Sequence, residues 1–415
     1  MDTDLWRLPG PRSYVEDISD GVERHIAAVL PAALADSSLF ADSLAVAIID
    51  RITHRGVPAR RVHPEDAKSV LETMHKLCWD PPSTIPDLLR HDELVGTVAV
   101  LSNVDLSESA RDDLPRFLER VERESRSLPP SERLTIVTIG SRQQLPTFAG
   151  GATSEVGFTS VWFWGRISRW DVASHIAAFS RERRGGVIQD VRAETIVEVA
   201  SWDLAVAEFL VENWSGDPVD LPEALGDAAL PIPQKQAGWF GATEVTMVPP
   251  PAVLRAWDER VVDAWHERIH PGPSIALLER QKLDRIVWSA QARVLLPWIE
   301  QNRVRLHSEV RRDLGRNFAA HVDAVLPGHS PNGLIEIGPL ERLVRTRGSL
   351  GYLYQAAREL KRARNALAHL RPLSLMDQCD LVDHCAGRAG AQPRGGGTRG
   401  RPRGPAGPSG GGKRA

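Results

Sequence analysis

Cysteine is scarce in this 415-residue chain, which has only Cys78, Cys379 and Cys385. Three thiols make a disulfide framework an unlikely device, and their scarcity points to a reducing, cytoplasmic compartment. Cys379, His384 and Cys385 do not make the paired spacing of a structural zinc site. No apolar run approaches the ~18–20 residues of a membrane-spanning helix. The first twenty residues, MDTDLWRLPGPRSYVEDISD, are acidic and contain no apolar signal-peptide core. Lysine is nearly missing, at 6 residues against 45 arginines. A GC-rich genome alone can give such a skew, so it carries no argument for nucleic-acid chemistry. What remains is ordinary for a globular protein: 42% hydrophobic and 25% charged residues.

The net charge of −3 hides an asymmetry, with −14 over residues 1–250, +4 over 251–385 and +7 over 386–415. An acidic front half repels phosphate, and a basic end attracts it. The first ~170 residues alternate apolar runs with helical patterns. His25–Leu30, Leu94–Leu101, Leu134–Ile139 and Gly157–Trp164 read as strands, whereas Leu39–Ile52 and Asp112–Ser125 read as helices. Nearly continuous apolar strands between helices predict a parallel α/β sheet covered on both faces. Trp162 and Trp164 share one strand face and are expected in the core.

Ala193–Asn213 reads as one amphipathic helix, and 217–251 as a Pro/Gly-rich connection with a small hairpin near Gly238–Met247. Residues 252–385 read as mainly helical, with segments Val253–Glu267, Ser274–Ser308 (broken near Pro297), Ser308–Ala324 and Gly348–Leu370. Asp258, Asp263, Glu267 and Glu279 then fall on solvated helix faces. The tail, 386–415, has eleven glycines, seven basic residues and no acid, which predicts disorder. The expected organisation is an α/β domain over 1–170, a helical and connecting segment over 171–250, a helical bundle over 251–385 and the Gly/Arg-rich tail.

The order of the first elements resembles a degenerate P-loop NTPase of the AAA or STAND type. Such a domain runs strand, phosphate loop, helix, then a strand ending in acids, then a strand ending in a polar sensor. Here His25–Leu30 leads into Pro31-Ala32-Ala33-Leu34-Ala35-Asp36-Ser37-Ser38, where G-x-x-x-x-G-K-[ST] would stand, and only Ser38 remains of it. Glycines let backbone N–H groups wrap phosphates, and the lysine supplies charge. Pro31 removes one N–H, and Asp36 brings negative charge to the phosphate position. The second strand ends in Ser102-Asn103 with Asp105 displaced, and the third in Gly140-Ser141-Arg142. The resemblance implies a domain without NTPase activity or nucleotide cofactor. The alternative is another α/β fold in which this loop has no such ancestry.

A second motif stands in Gly348–Ser374. Leu353, Ala357, Leu360 and Leu367 form an apolar stripe, and Arg364 is expected in line with it, paired or lining a cleft. Arg364-Asn365-Ala366-Leu367-Ala368-His369 resembles the R-x4–6-H motif of HEPN helical domains. The resemblance implies two roles. As a ribonuclease site, Arg364 would stabilise phosphorane charge and His369 would move a proton, with Asn365 in support and no metal. As a structural motif, the same residues would hold a helix end. On an ideal helix positions 364 and 369 diverge by ~140°, which favours the structural role. The leading expectation is an intracellular bacterial regulatory or scaffold protein with no cofactor or metal, binding a protein partner or a second copy. The alternative is a metal-independent ribonuclease using Arg364 and His369. RNA binding through the helical domain or basic tail is compatible with either.

Overall fold

The apolar runs become strands of one parallel sheet. β1 (His25–Leu30), β2 (Ala59–Arg61), β3 (Val98–Ser102), β4 (Thr135–Ser141) and β5 (Phe158–Trp162) lie in the order β2-β3-β4-β1-β5, with every pairing parallel. β1, β3 and β4 are buried along their whole length. Period-2 alternation divides their side chains between two cores. Ile26, Ala28 and Leu30 pack with Tyr14 and Ile18 of α1 (Pro9–Asp20) and with Phe40, Leu44 and Ile48 of α3 (Ser38–His54); α2 is the single turn Ala32–Ala35. Ala27 and Val29 pack on the other face with α4 (Val70–His75), α5 (Ile85–Leu89) and α6 (Glu108–Ser125), whose Leu114, Phe117, Leu118 and Val121 point inward. Trp162, Trp164 and Trp257 join this second core, with Trp162 and Trp257 at 5.4 Å between ring centroids.

The computed structural model describes residues 5–62, 67–145, 158–179, 186–228, 246–273 and 280–386. The basic tail beyond 386 and most of the hairpin expected near Gly238–Met247 lie outside them. After β5 come α7 (Arg169–Phe179), α8 (Val187–Ala200), α9 (Leu204–Asn213) and α10 (Leu221–Asp227). The single helix expected over Ala193–Asn213 is therefore two helices. Ser201 breaks it at φ +49°, and Asp203 restarts it by accepting from the amides of Ala205 and Val206. Val253–Glu267 is also corrected. It forms α11 (Leu254–Asp258) and then β6 (Val262–Trp265), which turns through His266 and Glu267, both at positive φ, into antiparallel β7 (Arg268–Pro271).

α12 (Arg280–Leu314) runs through Pro297 without a break. Proline removes one ladder hydrogen bond, to the carbonyl of Arg293; both residues are exposed, so water can meet that carbonyl. The next helix begins at Phe318, not Ser308: α13 (Phe318–Val325) is followed by α14 (Ile337–Arg345), α15 (Gly351–Ala368) and α16 (Leu375–Ala386). Among the described residues no helix is long and apolar enough to cross a membrane.

The chain divides into two compact units, 1–298 with 364–376, and 299–363 with 377–415. The first holds both sheets. The second is helical in its described residues. Its Leu306, Val310, Phe318, Val322, Leu340, Leu343, Leu353 and Leu360 are buried. Within it buried Arg303 meets Glu300 and the Ile335 carbonyl, and Lys361 meets buried Glu341 at 3.2 Å.

Candidate functional site

Ligands of open α/β sheets bind outside the carboxyl ends of the strands, where the strand order reverses. Here the connection after β1 leads to one side of the sheet and the connection after β4 to the other, so the reversal lies between β1 and β4. The loop after β1 does not open toward a ligand. Pro31 starts α2, and the amides of Leu34 and Ala35 donate to the Pro31 carbonyl at 3.0 and 2.9 Å. Those of Asp36 and Ser37 donate to Ala32 and Leu34 at 2.9 and 3.2 Å. Four N–H groups are thus consumed within one turn, whereas a phosphate cradle needs such groups turned outward. Ser37 caps α3 by accepting from the Phe40 amide, and Ser38 is the first residue of that helix.

The polar groups around this loop bind one another. Gln144, just past β4, donates from Nε2 to Asp36 Oδ1 at 2.9 Å and accepts from the Ser141 amide at 2.7 Å. Asp105, the displaced acid after β3, accepts from Arg61 of β2 at 2.8 Å, and Arg61 also meets Asp42. Burial opposes the charge on Arg61, but hydrogen bonds and proximity to the two carboxylates raise its pKa. The displaced acid is therefore already paired. Arg142 pairs with the buried Asp258 at 3.2 Å; burial pushes that carboxyl up even so.

Behind the loop the side chains of Leu34, Phe163, Trp202, Trp257 and Arg260 leave a void of about 20 Å³. That is space on the order of one water molecule, whereas small-molecule sites run to several hundred Å³. Asp263 borders this void. Its Oδ1 accepts from the amides of Gly165 at 2.8 Å and Ala264 at 2.7 Å. Burial outweighs these donors and Arg260, and pushes the carboxyl up to about 7. Gly165 has φ +65°, and a Cβ there would lie 2.9 Å from that of Ala264, so glycine is required. Asp258 and Asp263 are thus buried rather than solvated. The sequence hid them because 253–267 satisfies a helical spacing equally well.

The RNxxAH segment terminates a helix. Arg364 does not stand among the leucines: Ala363 takes the inward position between Leu360 and Leu367, and Arg364, Asn365 and His369 are exposed. A stripe stepping 360, 363, 367 leaves position 364 beside it, where charge meets water. α15 ends at Ala368. The Arg371 amide donates to the Ala366 carbonyl at 3.0 Å and the Leu370 amide to Leu367 at 3.2 Å, with Leu370 at φ +57°. This is a Schellman closure with leucine where glycine is usual. Trp288 Nε1 of α12 donates to the Leu367 carbonyl at 2.7 Å. Buried Gln291 donates to the Leu373 carbonyl at 2.8 Å and accepts from its amide at 2.6 Å. Trp288 and Gln291 were not anticipated; nothing local marks a polar residue of one helix as the clasp of another 80 positions on.

His266-Glu267-Arg268-Ile269-His270 matches the sequence pattern H-E-x-x-H. That motif needs a helix to bring its histidines onto one face. Here it occupies the β6–β7 turn and strand, with His266 and Glu267 at positive φ. Burial lowers the His270 pKa, and its Nδ1 lies 2.7 Å from the Pro271 carbonyl. Among the described residues no three His, Cys, Asp or Glu side chains are grouped to hold a metal ion. Matches to G-x-S-x-G at 407–411 and G-x-G-x-x-G at 395–400 fall outside the described residues.

No protein-family model and no curated protein matches the chain. Two similar solved structures are of the ORC2 protein of Aeropyrum pernix. The ADP form has 11% identity and a TM-score of 0.28, covering 89% of this chain and 95% of that one. The ADPNP–ADP complexes have 10% identity and a TM-score of 0.28, covering 86% and 91%.

Proposed function

We propose that this chain is an intracellular regulatory or scaffold protein of a bacterial defence or signalling system. In this reading its α/β domain, over 1–170, is a P-loop type that has given up nucleotide. A HEPN-like bundle over 251–385 follows the connecting segment, 171–250, and precedes the basic tail. The work is binding a protein partner or a second copy, without cofactor or metal. The observation that carries the reading is the closed turn after β1, with its amides spent internally and Asp36 bound by Gln144. The amides of Leu34, Ala35, Asp36 and Ser37 are then not available to a phosphate at this place.

A second reading keeps one specific support. Arg364, Asn365 and His369 are exposed, and among the described residues no hydrogen bond or ion pair holds their side chains. Free side chains of this kind suit a metal-independent ribonuclease in which Arg364 steadies phosphorane charge and His369 moves the proton. The test is RNA incubated in EDTA with wild type, Arg364→Ala and His369→Ala, each checked for folding by circular dichroism. We expect equal, background cleavage by all three, and stability changes within about 0.5 kcal/mol for these exposed sites. EDTA-resistant cleavage by wild type that the folded His369→Ala variant loses replaces the scaffold reading with the nuclease.

A further inference from the structure

A cavity of about 420 Å³ opens among α4, α5 and α6, in the helical layer on the second face of the sheet. Arg116 and Arg120 line it from α6. They stand four residues apart, so they are neighbours on one helix face. Both are exposed, and among the described residues neither guanidinium has an ion pair or hydrogen bond. Other arginines of this acidic half are spent: Arg51 on Glu16, Arg61 on Asp42 and Asp105, Arg166 on Asp17, and Arg133 on three backbone carbonyls.

The other polar groups of the cavity settle what a ligand must bring. Asp113 Oδ2 is occupied by the Val70 amide at 3.2 Å. The hydroxyls of Ser83 and Thr84 donate to Asp87 at 3.2 and 2.6 Å. Ser69 accepts from the Glu72 amide at 3.2 Å, which leaves its own proton uncommitted among the described residues. Two guanidiniums therefore face the one carboxylate of the lining, Asp113, beside the apolar surfaces of Leu71, Ile85 and Phe117. Two planar guanidiniums match an oxyanion of two charges and three equivalent oxygens better than a carboxylate. The volume suits a small molecule rather than a bare ion.

We propose that this cavity binds a small phosphomonoester, its head between Arg116 and Arg120 and its body against Phe117, Leu71 and Ile85. The site shares no residue with the loop after β1 and does not depend on the function proposed above. The test is calorimetric titration of the full chain with phenyl phosphate, with benzoate as the carboxylate control, against the Arg116→Glu/Arg120→Glu variant. Saturable binding by wild type with Kd below about 1 mM is expected. The double variant should weaken it by at least about tenfold, since two attractive charges become repulsive, and raised salt should weaken it too. Circular dichroism verifies the fold, and Arg116→Gln/Arg120→Gln, which removes charge alone, serves the same comparison. No saturable heat from wild type, equal affinity in a folded variant, or benzoate binding as tightly as phenyl phosphate overturns the proposal.

Discussion

Two buried titratable side chains, His25 and Asp263, respond to pH with opposite sign. His25 accepts from the Ile136 amide at 3.0 Å and stacks on Phe158; burial, then the Arg133 charge, lower its pKa to about 3. An unfolded histidine titrates near ~6.5. Between those values only the unfolded state binds the proton, so the stability present above ~6.5 is lost as pH falls. Asp263 is held at about 7, against ~3.9 unfolded. Between those values only the native state holds the proton, so its contribution is full below ~3.9 and is lost as pH rises to 7. Asp263→Asn keeps an acceptor for the two amides and removes this loss. The stability of the variant relative to wild type, from urea unfolding, should climb between pH 4 and 7 by roughly 1.4 kcal/mol per unit and then level off. A difference that stays constant from pH 4 to 8 would show that Asp263 is ionised normally in the fold.

At the scale of elements, the end of α15 is held by a buried clasp and strained by a left-handed leucine. Gln291→Leu removes two buried hydrogen bonds to the backbone of Leu373, and should cost about 1–3 kcal/mol. Leu370→Gly relieves a φ of +57° at an exposed position; that strain, ~1–2 kcal/mol, exceeds the entropy glycine adds to the unfolded chain, ~0.5–1 kcal/mol, so the variant should be stabilised by roughly 0.5–1 kcal/mol. Both are read from thermal or urea unfolding; equal, small losses would mean that the helix end is not fastened as described. The same scale separates what the sequence made legible from what it did not. β1, β3 and β4 were visible because strands buried along their whole length carry nearly continuous apolar runs, and the edge strand β5 because Phe158 and Trp162 bound it. β2, Ala59-Arg60-Arg61, was not, because a three-residue edge strand with exposed arginine carries no such run. The α8–α9 break rests on one positive φ at Ser201, and the β6–β7 hairpin on His266 and Glu267, residues that carry no turn signal. Of the candidate site, the missing glycines and lysine were plain in the sequence. The pairings that close it, Gln144 with Asp36 and Arg61 with Asp105, join positions 108 and 44 residues apart, which no local pattern encodes.

At the scale of the whole molecule, the switch point of a parallel sheet, between β1 and β4, is occupied by the protein's own paired side chains. In the function proposed above, three features oppose nucleotide at the loop after β1: amides consumed in α2, Asp105 paired with Arg61, and a void of about 20 Å³ behind the loop. The most direct measurement is calorimetric titration of ATP with Mg²⁺ into the full chain carrying Arg116→Glu and Arg120→Glu, so that the α6 cavity does not contribute. The account predicts no saturable heat at 1 mM nucleotide and no shift in melting temperature, although a ligand at 100 times its Kd would add about 2.7 kcal/mol. Saturable binding with a micromolar Kd in that variant would contradict it.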